Sequence, residues 1–252
     1  MTNGTLYLVP NTLDLGMPGV DLQEVLPIGV IRVAARLSHW VAENAKTTRA
    51  FLKRVDASVP LAQPLQSIGI VELPRPVKGR PAAADASALD ALLAPALQGD
   101  DLGLISEAGL PAVADPGAAL VQAAHARRVK VVPLPGPSAL LLALAGSGLN
   151  GQSFAFVGYL PVDAAERAAR LRELEALSRR TGQTQLIIET PYRNEALLGG
   201  LLAALQPHTR LSVSCGLTLP QGWTRTDSIA GWKAAPAALP KDVPAVFALL
   251  AG

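Results

Sequence analysis

Apolar and polar positions along the chain switch repeatedly between a short strand-like run and a helical spacing. Residues 4–10 put Leu6, Leu8 and Val9 into an apolar run that Pro10 stops, the pattern of a buried strand. The following NTLDLGMPGVD is dense in turn formers and reads as a loop at that strand's carboxyl end. Residues 22–34 carry a helix interrupted or begun at Pro27, and residues 39–55 a second one, with a short strand near Trp40. A strand over 67–73 precedes a proline-rich exposed loop at 74–81, and Asp85 or Ser87 can cap a helix that ends near Leu97.

The middle of the chain reads most clearly. Residues 102–106 form a short apolar strand, GLPAVADPG a loop, 118–128 a helix and 129–133 another strand. Strand, helix, strand at this spacing predicts a βαβ unit and therefore a parallel sheet. PGPSALLLALAGSG then opens a further helix with Ser138 near its amino end, and the small polar residues 146–151 mark a domain boundary. Beyond them come a strand at 154–157, the turn YLPVD, a long helix at 164–180 capped by Asp163, and a strand at 185–189. A helix near 194–205, a strand at 210–215, an irregular stretch and a last strand at 245–250 complete the reading. Two α/β domains follow, residues 1–148 and 149–252.

Composition narrows the class. Half of the 252 residues are hydrophobic, enough for two small cores without cross-links. A lone Cys215 and three scattered histidines offer neither a disulfide framework nor metal-ligand spacing, so no metal is expected. No basic leader followed by an apolar stretch opens the chain, and no apolar run reaches the length of a membrane span, so a cytoplasmic protein with no membrane partner is expected. With 22 basic and 20 acidic residues the net charge of +2 gives no field that selects nucleic acid. Arg127, Arg128 and Lys130 cluster, and Arg167, Arg170, Arg172, Arg179 and Arg180 dot the helix at 164–180. Glu166, Glu173 and Glu175 interleave with the second set, which reads first as a solvated, ion-paired face.

Ligands of open parallel sheets bind beyond the carboxyl ends of the strands, so the loops after Val9, Ser106 and Val132 are the candidate site. Glycine lets their backbone come close to a ligand, and proline sets their shape in advance. Neither GxxxxGK[ST] nor GxGxxG after a strand is present, which removes the main support for nucleotide-triphosphate and dinucleotide readings. By themselves such loops are more often structural turns.

Six segments, GTLYLVP, VAENAKTTRAFLK, LGLISEAGLPAVADPGAALVQAA, VKVVPLPGPSALLLALAGSGL, FAFVGYLP and LIIETPYRNEALL, follow one another in a known order. From Gly4 to about Leu198 the chain resembles the bacterial ribosomal small-subunit RNA ribose 2'-O-methyltransferases of the tetrapyrrole methylase superfamily. The resemblance implies an α/β fold with a parallel five-stranded amino-terminal sheet and a mixed carboxyl-terminal sheet. It also implies a homodimer, S-adenosylmethionine in a cleft between the domains, and ribosomal RNA as the substrate partner. Pro10, Ser106, Glu107, Ala108, Gly109, Pro111, Val113 and Asp115 would meet the cofactor, with Pro135, Gly136, Pro137, Ser138 and Ala139 as a second wall. Gly158, Tyr159 and Leu160 would form a third.

Glu43 and Arg49 match catalytic or substrate-handling positions, and Glu189, Tyr192 and Arg193 match substrate-binding ones. Each has a structural alternative: Glu43 in an ion pair, Glu107 as an exposed turn acid, Asp115 as a turn former before Pro116, Ser138 as a helix cap, and Tyr192 as packing. Arg49 and Arg193 could hold phosphate or tie helix to strand.

The chain also departs from the family. VPNTLDLG stands where VPTPIGNL is usual, Glu43-Asn44-Ala45-Lys46 replaces a more polar segment, and SCGLTLPQGWTRTDSIAGWKAAPAALPKDVP replaces the family's REPTKxHE-like stretch. Trp223 and Trp232 in that stretch can stack on a planar acceptor or pack in a core. Methylation of a small planar molecule such as a tetrapyrrole, or cofactor binding without transfer, are the competing expectations.

Overall fold

The computed structural model describes residues 2–14, 16, 21–74 and 86–252. Leu15, residues 17–20 of the first loop, most of the expected 74–81 loop and the Asp85 cap lie outside them.

The chain divides into two compact units between Ser138 and Ala139. Unit 1 runs β1 (Thr5–Leu8), α1 (Ile28–Arg36), β2 (His39–Ala42), α2 (Ala45–Ser58), β3 (Gly69–Glu72), α3 (Ala86–Leu97), β4 (Leu102–Ile105), α4 (Ala118–Ala126) and β5 (Lys130–Pro133). The strands form one parallel sheet in the order β3-β2-β4-β1-β5. A parallel sheet is covered on both faces, so side chains on either side of its strands are apolar. Trp40, Ala42 and Ile105 face the core shared with Val30, Ile31, Ala34, Phe51, Leu52 and Val55 of α1 and α2. Leu6, Val41, Leu102 and Leu104 face the core shared with Leu93, Ala96, Leu120 and Ala124 of α3 and α4. Gly103 lies against the Trp40 ring, where a Cβ would stand 2.7 Å from Cε3; only glycine lets that indole cross β4.

The segment expected as one helix with a short strand at 39–55 is β2 followed by α2. Asn44 separates them, its side chain accepting from the backbone N–H groups of Lys46 and Thr47. α1 starts after Pro27 without a side-chain cap, the proline ring setting the backbone at its entry.

Unit 2 runs α5 (Ala139–Ser147), β6 (Phe154–Gly158), α6 (Ala164–Thr181), β7 (Thr184–Ile188), α7 (Asn194–Ala204), β8 (Arg210–Cys215), β9 (Trp223–Ser228), α8 (Ile229–Ala234) and β10 (Ala245–Leu250). Its sheet is mixed, in the order β6-β7-β10-β8-β9, with β6 and β7 parallel and the remaining pairs antiparallel. The last strand in sequence occupies the middle of the sheet.

The division falls one helix before the expected break at 148 and 149. Leu140, Ala143 and Leu144 of α5 pack with Leu186, Val246 and Ala248 of the second sheet, so buried apolar area assigns the helix to unit 2. The expected irregular stretch holds β9 and α8. WTRTDS has too few apolar positions to announce a strand, and its ladder with β8 forms it. Trp232 is fully buried and its Nε1 donates to the Leu211 carbonyl at 2.8 Å, so it is a core residue rather than an acceptor platform. The half-buried Trp223 ring packs 6.5 Å from it.

In α6, Asp163 caps Ala165 and Glu166 at 2.9 Å each, and Gly182 closes the helix in the left-handed region at φ 64°. Arg170 and Glu173 pair on the open face, as expected. Glu175 does not join them: it is buried and accepts from Gln206 N and Thr209 Oγ1, tying α6 to the approach to β8.

Candidate functional site

The connection from β1 leads to α1 on one face of unit 1, while that from β4 leads to α4 on the other. These strands are neighbours in the sheet, so their carboxyl ends flank a topological switch point, where departing loops open a crevice. Asn11 spans it. Its backbone N–H donates to the Gly109 carbonyl at 2.9 Å, and its Nδ2 donates to the carbonyls of Ser106 and Glu107 at 3.1 and 3.0 Å. Sequence reasoning overlooked Asn11, because its partners lie nearly a hundred residues away and its own neighbourhood suggests only a turn.

The loop after β4 has four residues in the left-handed region: Gly109 at φ 66°, Ala112 at 65°, Ala114 at 66° and Gly117 at 130°. For the two alanines this conformation is strained, and such strain persists only where surrounding contacts impose it. At Gly109 a Cβ would come within 3.3 Å of Leu13 and 3.4 Å of the Pro137 carbonyl oxygen. At Gly136 it would strike Pro10 at 2.3 Å. The loops after β1, β4 and β5 therefore touch one another within unit 1, and their glycines are the condition for that contact.

Glu43, at the carboxyl end of β2, accepts the Glu107 backbone N–H on Oε2 at 3.1 Å, while its own N–H donates to Ile105 O. Asp115 stands near both glutamates. Burial, then the charges of Glu43 and Glu107, push its carboxyl up to about 6. The Ser106 hydroxyl faces Asp115 closely enough to oppose that rise, yet it forms no hydrogen bond of good geometry. Its Oγ is buried and without a partner, with the residue 4% exposed. A buried hydroxyl left unpaired costs free energy unless a ligand or water completes it.

Of the other expected cofactor residues in unit 1, Pro111 and Ser138 are buried, Pro137 is half-buried, and Val113 and Pro135 are exposed. Arg49 is exposed, and its guanidinium donates to Ala45 O on its own helix.

A cavity of about 310 Å³ opens beside these loops, lined by Asn11, Thr12, Thr47, Ala50, Arg54 and Glu107 among others. The Arg54 guanidinium grips Asp14, with Nη2 to Oδ2 at 2.7 Å, and also donates to Thr12 Oγ1 at 3.3 Å. Burial by itself would raise the Asp14 carboxyl, but the bonds from Arg54, Thr12 and Gly16 outweigh it and hold it below the ordinary value. This pair was not legible along the chain, since 40 residues separate its members.

In unit 2, Ala139 starts α5 and is half-buried. Gly158 is left-handed at φ 74°, Tyr159 is exposed, and the Leu160 side chain packs in the core with Leu171 and Leu197. The three substrate candidates sit beyond β7. Glu189 is buried and meets Arg193 at 3.0 Å while accepting Thr190 N at 2.8 Å; Tyr192 is 70% exposed. Arg193 thus ties its own segment together.

A parallel sheet with a glycine-shaped crevice at its switch point, followed by a mixed-sheet unit, is an architecture of methylases. The family model for tetrapyrrole (corrin/porphyrin) methylases matches residues 30–226, and the chain belongs to that family. It is 33% identical over 203 residues to "Ribosomal RNA small subunit methyltransferase I" of Micromonospora olivasterospora, covering 81% of this chain and 56% of that one. It is 40% identical over 127 residues to the protein of the same name from Mesorhizobium japonicum, covering 50% of this chain and 42% of that one. The chain thus spans about half the length of these curated relatives.

Among solved structures, a putative cobalamin-synthesis-related protein of Corynebacterium diphtheriae aligns with TM-score 0.57 at 18% identity, over 99% of both chains. The uroporphyrin-III C-methyltransferase of Thermus thermophilus, solved with S-adenosylhomocysteine, aligns with TM-score 0.53 at 18% identity, over 98% of this chain and 97% of that one. At that identity the likeness concerns the fold, and it agrees with the expected two-sheet α/β architecture.

Proposed function

We propose that this chain transfers the methyl group of S-adenosylmethionine to RNA, at a ribose 2'-hydroxyl of the small ribosomal subunit. The observation that carries the reading is the switch-point crevice of unit 1, where Ser106 Oγ is buried without a partner beside three carboxylates that no cation among the described residues neutralises. Such a site suits a ligand that brings positive charge and hydrogen-bonding groups. The cofactor supplies an electrophilic methyl on a sulfonium, and it also carries an ammonium group. The relatives named as ribosomal RNA methyltransferases favour the acceptor class.

Ser106, Glu107, Ala108 and Gly109 would hold the cofactor from the β4 side, with Pro10 from β1 and Pro135, Gly136 and Pro137 from β5. Pro111, Val113 and Asp115 shape the first of these loops, Ser138 and Ala139 end the last, and Gly158, Tyr159 and Leu160 at the end of β6 are the further cofactor residues of this proposal. Direct displacement needs alignment and removal of the acceptor's proton, with no covalent enzyme intermediate. Glu43 would orient the acceptor hydroxyl and take that proton, its carboxylate already fixed against Glu107 N. Tyr192, exposed on the segment that Glu189 and Arg193 tie together, would help present the substrate. The same proposal includes a homodimer in the cytoplasm.

Calorimetry should find one S-adenosylmethionine site per chain, and label from the tritiated cofactor should enter undermodified small-subunit ribosomal RNA. Glu43→Gln keeps an acceptor for Glu107 N but loses the base, so cofactor affinity should hold within about twofold while turnover falls about 100-fold, as expected for loss of a general base. Unchanged turnover in Glu43→Gln removes that residue from the catalytic set. Transfer to a tetrapyrrole and not to RNA overturns the acceptor.

A further inference from the structure

The cavity beside the β1 and β4 loops shares Glu107 and Ala108 with the proposed cofactor site, but the rest of its lining lies outside that site and has a distinct chemistry. At about 310 Å³ it lies at the small end of the range for pockets that take organic ligands. Ala50, Phe51 and Ala108 supply apolar surface, and Thr12, Thr47 and Asn11 supply polar edges. The strongest charge in it is already used: Arg54 is held by Asp14, whose side chain is 2% exposed. A pocket whose guanidinium is paired internally has little to offer a free phosphate, and one of this size has no room for a tetrapyrrole macrocycle. Glu107 lines it and also belongs to the crevice, so the two spaces adjoin.

We propose that this cavity, between α2 and the loops after β1 and β4, receives one unstacked nucleoside of the RNA acceptor, with Thr12 and Thr47 on its polar edge and the Arg54–Asp14 pair fixing its floor. The inference rests on the RNA-methyltransferase reading and identifies which part of the acceptor enters the protein. A ribose hydroxyl can be reached without unstacking, but sequence-specific recognition of RNA targets loops and bulges whose bases are splayed out, and the stacking lost is offset by burial in a fitted pocket. Apart from Glu107 at the border with the crevice, the lining combines apolar surface with an internally paired guanidinium, which rewards the base and sugar and leaves the phosphates outside.

Ala50 is an exposed residue of α2 whose side chain lines the cavity, so Ala50→Trp fills the space without disturbing a core. Lys53→Trp, on the same helix and outside the lining described here, controls for the added indole. With undermodified 30S subunits as acceptor, Ala50→Trp should bind S-adenosylmethionine within about twofold of wild type by calorimetry and lose at least tenfold in kcat/KM for methyl transfer. Lys53→Trp should match wild type in both. Undiminished transfer in Ala50→Trp overturns the pocket and leaves the functional reading intact; parallel loss of cofactor binding reassigns the cavity to the cofactor. A wild-type protein that binds the cofactor yet labels no RNA defeats the functional reading and this inference with it.

Discussion

The carboxyl ends of β4 in unit 1 and β7 in unit 2 each present an acidic residue from a Gly- or Pro-containing motif, and the two ends use that charge in opposite ways. Beyond β7, Glu189 is paired with Arg193, bonded to Thr190 and 2% exposed at its side chain. Beyond β4, Glu43, Glu107 and Asp115 gather without a pairing cation among the described residues, around a buried hydroxyl that lacks a partner. A closed network holds a fold together, whereas an unspent one is kept for something outside the chain. The charge at the β7 end is spent within the fold and that at the β4 end is left for the ligand proposed above, although the two motifs look alike when read as letters.

Removing Arg193 tests the structural half and should give the largest effect. Arg193→Ala leaves Glu189 buried with its charge unpaired, which costs about 3 kcal/mol. Urea unfolding should show a lower midpoint at an unchanged slope, and a midpoint within experimental error of wild type would mean that Arg193 is free for substrate after all. Ser106→Ala tests the functional half. Because its Oγ has no partner to lose, stability should stay within about 0.5 kcal/mol while S-adenosylmethionine affinity falls roughly tenfold, the loss of about one hydrogen bond. A clear loss of stability with unchanged affinity would reverse the assignment.

The smallest effect concerns Asp115. Its carboxyl in the folded protein is raised to about 6 from an ordinary 3.8, so the folded state holds the proton more tightly than the unfolded chain does. That contribution to stability is fully present below the unfolded value and is lost as pH rises through about 6. Asp115→Asn cannot ionise, so its advantage over wild type should grow from pH 4 to pH 7 and reach about 1 kcal/mol after allowance for solvent screening. Parallel thermal-stability curves for the two proteins across that range would show that Asp115 is not strained by its neighbours.

Much of the fold was legible. Leu6 to Val9, Leu102 to Ile105 and the Asp163-capped helix follow from periodicity and capping alone, since those signals are local. β9 and α8 were not legible, because Thr224, Arg225, Thr226 and Asp227 make a strand only when β8 lies alongside. The place of α5 was missed for a related reason: its leucines declare that they are buried without declaring in which core. For the site, the glycine and proline loops were readable from sequence, while the Asn11 clamp and the Arg54–Asp14 pair were not.

The positions of most strands and helices, the parallel sense of one sheet and the loops that carry glycine for close approach are written in the order of residues, because each depends on spacing within a few positions. Which charges are spent and which are kept is set by the folded chain. That Glu189 is neutralised, that Asp115 is crowded by Glu43 and Glu107, and that Ser106 is buried alone depend on atoms brought together from distant positions, and electrostatic and desolvation energies follow distance in space rather than order along the chain.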